Sequence, residues 1–252
     1  MIMHHSRRTL LRYAVAAAVA ACAWLTSPMP LSAQDYAAII AAPDRADSDR
    51  QTDRRRDPVK LLSFTAVKPG MTVLDMGAGG GYSTELMARA VGPTGKVYGQ
   101  DYETGARAKE RFEARMKTEA MKNVVALARP FDDPLPAEVR NLDLITFFFF
   151  YHDTTYMAVD RAAMNKKLFG ALKPGGFLII ADHSAKPGAG TSVGKTLHRI
   201  EESVLRSEVE AAGFKLAASA DFLRHPEDPR DERIFQPKVP VDEFVLKFQK
   251  PN

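Results

Sequence analysis

Asp75-Met76-Gly77-Ala78-Gly79-Gly80-Gly81-Tyr82 closes a short apolar run, Met71–Met76, and opens a helical pattern, Tyr82–Val91. Glycine suits a chain that must turn sharply and let a ligand approach its backbone. The helix that follows offers unpaired N–H groups and the positive end of its dipole. The spacing is D-x-G-x-G-x-G; a dinucleotide fingerprint needs glycine at position 82, where Tyr82 stands. Alone, such a loop is equally a tight strand-to-helix turn.

Outward from this loop, strands and helices alternate. Strands are predicted over Met71–Met76, Val97–Gln100, Val124–Ala128, Leu142–Phe150, Phe177–Ala181, Phe214–Ala220 and Phe244–Phe248. Helices are predicted over Tyr82–Val91, Thr104–Lys122, Thr155–Leu172 and Lys195–Ala212, with Pro58–Phe64 as the start of another. Lys173-Pro174-Gly175-Gly176 reads as a stop. Regular alternation predicts an α/β fold with a mostly parallel sheet and helices on both faces. Ligands of such sheets sit at the carboxyl ends of the strands.

Several residues stand at those ends. Asp101 lies twenty positions past Gly81, where a carboxylate can accept the hydroxyls of a ribose or cap a helix. Phe131-Asp132-Asp133 follows the third strand, either as a seat for an adenine ring or as a polar turn. Tyr151-His152-Asp153 ends the fourth strand, and Asp182-His183 the fifth. His152 can act as a base near neutral pH with Asp153 orienting it; packing and helix capping are the alternatives. His152, Asp182, His183 and His198 can converge, but no histidine pair has H-x-x-x-H spacing, so no metal is expected. Phe147–Phe150 should alternate between sheet faces and pack in the core rather than form one stack.

The first 33 residues have a leader's layout: Arg7, Arg8 and Arg12 without any acid, an apolar run from Tyr13 to Leu25, and small residues up to Ala33. Ser6-Arg7-Arg8-Thr9-Leu10-Leu11-Arg12 resembles a twin-arginine export signal. The apolar run is too short for a membrane span, which takes about 20 residues. Val19-Ala20-Ala21-Cys22 resembles a lipobox, which would place a lipid anchor at Cys22, the chain's one cysteine; cleavage near Ala33 is the alternative. The expected organisation is a signal peptide over 1–33, an N-terminal arm over 34–62 and a main domain over 63–252. Without the leader the formal charge of +4 falls to +1, so composition makes no case for a nucleic-acid partner. In the arm, Arg54-Arg55-Arg56 lies between Asp53 and Asp57 and reads as a solvated, salt-bridged face.

Val73–Gly81, with Asp101, resembles motif I and the ribose acid of class I S-adenosylmethionine-dependent methyltransferases. Leu172–Ile179 and Glu210–Phe214 resemble the segments leading into strands five and six of that fold. More narrowly, Tyr151-His152-Asp153, Pro226–Asp231 and Lys250-Pro251 resemble a family of exported, predicted methyltransferases of Gram-negative bacteria. The resemblance implies a Rossmann-like sheet of seven strands, a methyltransferase of class EC 2.1.1 and a small-molecule or envelope acceptor. It implies S-adenosylmethionine held by Asp75, Gly77, Ala78, Gly79, Gly81, Asp101, Tyr102, Asp132 and Tyr151. His152, Asp153 and His183 would be the catalytic groups. Because that cofactor is made in the cytoplasm, an exported chain leaves a second reading: a nucleoside-type binding protein on the same scaffold, without methyl transfer.

Overall fold

The computed structural model describes Met1 and residues 34–102 and 105–252. The leader, Cys22 and the 1–33 boundary therefore lie outside the described residues. Among the described residues, no helix is long and apolar enough to cross a membrane.

Seven strands form one sheet: β1 (Thr72–Met76), β2 (Lys96–Asp101), β3 (Val124–Ala128), β4 (Leu142–Phe148), β5 (Leu172–His183), β6 (Lys215–Ala220) and β7 (Glu243–Gln249). Their order is β3-β2-β1-β4-β5-β7-β6. The first five run parallel, and β7 lies antiparallel between β5 and β6. This is the Rossmann-like arrangement expected. Chain order reverses at β1, which sits between β2 and β4, so the crevice at their carboxyl ends is the place for a ligand.

Strand alternation feeds two cores. Leu74, Ile145, Leu178 and Leu246 point to one face, under α6 (Arg161–Ala171) and α8 (Glu202–Ala211). Val73, Leu144, Ile179 and Val245 point to the other, under α3 (Pro58–Thr65) and α4 (Tyr82–Val91). Gly81 starts α4 in the left-handed region at φ 81°.

Three helices depart from expectation. The charged helix after β2 is α5 (Ala106–Arg115), followed by a 3-10 turn at Glu119–Met121. The helix expected from Thr155 begins at Arg161, where the Asp160 side chain accepts from Ala163 N–H at 2.9 Å. Of its expected residues, Thr155 closes a 3-10 turn, Tyr151–Thr155, and 156–160 form an irregular link. The helix expected over Lys195–Ala212 is cut into α7 (Gly194–Leu197) and α8. Ile200 causes the break: its N–H donates to His183 O and its carbonyl accepts from Ala185 N–H, both at 3.0 Å, drawing the chain out alongside β5. Lys173–Gly176 is not a stop but lies within β5, across a register shift against β4.

The arm holds α1 (Tyr36–Ala41) and α2 (Asp47–Arg56), and α3 runs across the boundary expected at residue 62. Ion pairs bind the arm to the glycine-loop helix. Arg115 grips Asp49 at 2.7 Å and also Glu85 of α4. Arg89 of α4 grips Asp44 at 3.0 Å. Arg45 and Tyr82 share Asp53, each at 2.7 Å.

Candidate active site

The glycine loop is pinned from below. Asp75 is fully buried and accepts three hydroxyls: Ser83 at 2.8 Å, Thr84 at 2.7 Å and Thr146 at 2.7 Å. Burial pushes its pKa up against those hydrogen bonds. Asp75 therefore ties β1 to α4 and β4 and does not reach a ligand, a correction to its expected place in the cofactor shell. Gln100, one residue before Asp101, accepts from Gly77 N–H at 3.2 Å through its side chain and from Ala78 N–H at 2.8 Å through its carbonyl. Gly81 N–H closes the turn on Ala78 O at 2.8 Å.

Two grooves meet on this loop at Gly79. One, of about 320 Å³, is lined by Gly77–Gly80, Phe148–Phe150, Arg55, Arg56, Arg111 and Arg115. The other, of about 400 Å³, runs from Gly79 past Asp101 and Tyr102 to Phe112 and Ala126. Both fall in the size range of small-molecule sites. Gly77 and Gly79 line the first groove, and Gly79, Asp101 and Tyr102 the second. Asp132 stands apart from it, its carboxylate near Asp160 N–H at 3.4 Å. Gly81 serves as the helix cap, where a Cβ would come within 3.0 Å of Phe112 and Arg115.

The arm supplies what the sequence hid. Arg54 and Arg55 are exposed, as a solvated, salt-bridged run should be, but Arg56 turns inward. Arg55 reaches Glu243 at 3.3 Å. Arg56 lies over the Phe149 ring at 4.4 Å and the Tyr82 ring at 5.4 Å, and its buried Nε has no hydrogen-bond partner. Burial and the neighbouring Arg55 draw its pKa down to about 10, so it remains a cation at neutral pH. Arg56 thus brings a cation to the groove that the glycine loop lines.

The strand-four residues diverge. Phe149 takes φ 59°, in the left-handed region, and so breaks the alternation of the strand. Phe147 and Phe150 consequently share a side and stack with Phe131 at centroid distances of 6.1 Å and 5.0 Å, contrary to expectation. Tyr151 turns into the core, donating to Glu208 and accepting from Asn165, both at 2.8 Å, so it is not a cofactor ligand.

The histidines do converge. His152 is buried, with Nδ1 2.7 Å from Asp182 and Nε2 3.2 Å from Asp153. Burial lowers its pKa, but Asp182 and Asp153 outweigh burial and carry it to about 10. A ring already protonated at neutral pH is not the expected base. His183 stacks on Phe149 at 5.3 Å and stands 3.0 Å from Glu243. Burial drives its pKa well below the ordinary value. Burial lifts Glu243 to about 7, against Arg55 and Arg56. His198 ends α7 with its Nδ1 3.2 Å from Asp153. Rings thus run from the groove through Phe149, His183 and His152 to His198, with successive centroids 5.3–5.5 Å apart. The groove linings do not include His152.

A family model described as a methyltransferase domain matches residues 67–217. The demethylmenaquinone methyltransferase of Lactococcus lactis subsp. lactis (strain IL1403) is 32% identical over 46% of this chain and 43% of its own length. A ubiquinone/menaquinone biosynthesis C-methyltransferase of Ectopseudomonas mendocina (strain ymp) is 26% identical over 65% of this chain and 59% of its own. The chain thus spans about half the length of these curated relatives. A SAM-dependent methyltransferase structure from Aquifex aeolicus superposes with TM-score 0.58 at 20% identity, covering 81% of this chain and 99% of that one. The [4+2]-cyclase SpnF superposes with the same TM-score, 0.58, at 17% identity, covering 81% of each chain. The fold is therefore shared by different chemistries.

Proposed function

This chain belongs to the methyltransferase-domain family, and from that premise we propose that it transfers a methyl group from S-adenosylmethionine to a small-molecule acceptor. The observation that carries the reading is the pinned loop beneath the arm: Gln100 fixes Gly77 and Ala78 while the cationic Arg56 lines the same groove. The sulfonium of a bound cofactor supplies an activated methyl for in-line displacement. The chain's own contribution is alignment and the exclusion of water. Gly77, Gly79 and Gly80 let the ligand lie against the backbone, Asp101 holds its ribose, and Arg56 neutralises its carboxylate. Phe149 and Phe150 furnish an apolar wall beside the methyl.

That wall, and the quinone-pathway names of the relatives, support an aromatic acceptor methylated at carbon. The deciding experiment is calorimetric titration with S-adenosylmethionine, then mass spectrometry for S-adenosylhomocysteine and a methylated product with quinol-type acceptors. Binding together with product supports the reading. Failure to bind overturns it, and binding without product across acceptors returns the chain to a ligand-binding role.

We also propose export, as in the Gram-negative family resembled above, on the strength of Ser6–Arg12 and the small residues before Gln34. Cell fractionation with an intact-mass measurement tests it. A soluble periplasmic chain starting at Gln34 is expected. A lipidated chain starting at Cys22 would move the protein to the membrane, and an uncleaved cytoplasmic chain would end the export proposal.

A further inference from the structure

We propose that His152, Asp153 and His198 form a binding site for a divalent transition-metal cation, outside the two grooves. One ligand atom from each lies within 4.8 Å of the others. His152 Nε2 and His198 Nδ1 each stand 3.2 Å from Asp153 Oδ1. Metal–nitrogen and metal–oxygen bonds of about 2.1 Å place adjacent ligand atoms roughly 3.0 Å apart at a right angle and roughly 3.4 Å apart at the tetrahedral angle. The observed spacings lie between those two values.

His152 points to a cation independently of the cluster. Its side chain is 2% exposed, and Nε2 has no hydrogen-bond partner, because Asp153 approaches it off the N–H axis. The other ring nitrogen faces Asp182 Oδ1 at 2.7 Å, while Asp182 Oδ2 accepts the His152 backbone N–H at 2.8 Å. The carboxylate of Asp182 holds the Nδ1 N–H and orients the ring so that Nε2 faces the cluster, and a cation binding at Nε2 displaces the proton there. This is the arrangement found behind metal-ligating histidines.

Local structure delivers the third ligand. Gly194 opens α7 against the Tyr151–Thr155 turn, where a Cβ would fall 2.1 Å from Thr155 Oγ1 and 3.0 Å from His152 O. Glycine alone allows that docking, and the docking carries His198 to Asp153. The ring planes of His152 and His198 cross at 84°, so they bracket the space beside the carboxylate rather than stack. Two imidazoles and one carboxylate suit zinc and its first-row neighbours; calcium and magnesium call for all-oxygen shells. Asp153 and His198 are partly exposed, which leaves the cation's remaining positions open to an oxygen ligand.

The test uses the full chain, stripped with chelator and titrated with Zn2+ by calorimetry, with metal content measured after gel filtration. One Zn2+ per chain is expected. His198→Gln, which keeps a polar group for Asp153, and Asp153→Asn should each weaken binding at least about tenfold, and Asp182→Asn by about 10–100-fold. His225→Ala, at the exposed His225–Glu227 pair, should change nothing. Thermal melts establish that each variant is folded, and Zn2+ should raise the melting temperature of the parent and of His225→Ala by more than that of the other variants. No stoichiometric uptake overturns the proposal, as does uptake that survives both His198→Gln and Asp153→Asn. The readout is the metal itself, so the result stands apart from whether the chain transfers methyl groups.

Discussion

Gly77→Ala tests the loop most directly. Gly77 sits at φ 65°, and a Cβ there would come 3.0 Å from Phe150 Cγ, 3.1 Å from its Cβ and 3.2 Å from its Cδ1. Retreat of the ring meets Phe131 at 5.0 Å and Phe147 at 6.5 Å. The left-handed conformation costs an alanine about 1–2 kcal/mol, and overpacking adds about 1–3 kcal/mol. The expected loss is about 2–5 kcal/mol in urea unfolding, with the midpoint lowered and the slope unchanged. Gly190→Ala is the control, because Gly190 has φ 57° and no heavy atom within 4 Å of an added Cβ. It should lose only the conformational part, about 1–2 kcal/mol. Equal losses in the two variants would show that Phe150 yields freely, and the account of a rigid crest would be refuted.

Four other outcomes follow from the same contacts. Arg115→Ala strands the near-buried Asp49, while Glu85 keeps Arg89, so stability should fall by about 3–5 kcal/mol and limited proteolysis should begin in the arm. Asp101→Ala should weaken S-adenosylmethionine binding at least about tenfold in a chain that still melts cooperatively, in line with loss of one or two hydrogen bonds to a charged group; unchanged affinity removes the ribose assignment. Tyr151→Phe should cost about 1–2 kcal/mol through Glu208 and Asn165 and leave cofactor affinity untouched, whereas a loss of affinity would restore Tyr151 to the site. Glu243 is lifted to about 7 by burial, among Arg55, Arg56, Asp182, His183 and His225. Its folded pKa lies above the unfolded one, so the native state holds the proton longer and stability falls as pH rises from about 4.5 to about 7, by at most about 3 kcal/mol. Glu243→Gln should flatten that decline in unfolding series at pH 4.5, 5.5 and 7, and a variant with the parent's slope would place the titration elsewhere.

The sheet was legible because its central strands β1, β4 and β5 are buried on both faces; the helix Tyr82–Val91 and the edge strand Val124–Ala128 match residue for residue. The loop was legible because positive φ at Gly77, Gly79 and Gly81 leaves a mark in composition. Gln100 could have been found, since it ends the strand beside Asp101. Arg56 could not: flanking acids are what a solvated run also shows, and its docking on Phe149 and Tyr82 depends on the fold of the arm. The split at His198 is tertiary too. The helical pattern of Lys195–Ala212 continues through it, and only the pull of Ile200 towards β5 breaks the helix. Tyr151 was misplaced for a related reason, because position after a strand says nothing about which way a 3-10 turn sends a side chain.

The end of β4 shows why strand-end position and chemical role separate here. A strand that kept its alternation would send Phe149 and Tyr151 to one face and Phe150 and His152 to the other. The left-handed turn at Phe149 reassigns them: Phe149 and Phe150 both line the groove, Tyr151 enters the core, and His152 falls behind the rings of Phe149 and His183. Arg56 clamps the groove side of Phe149 and His183 the opposite side, so the ring is a fixed partition. A base acting on a groove-bound acceptor would have to work across it. The groove itself offers glycine backbone, arginines, aromatic walls and the hydroxyls of Ser48, Thr52 and Ser83, and its carboxylate, Asp49, is held by Arg115, a set suited to holding and aligning a ligand. Methylation at an activated carbon, where alignment dominates, asks for that kind of site. The polar row behind the partition is then free for a separate task, and its two imidazoles around one carboxylate are where that task should be sought.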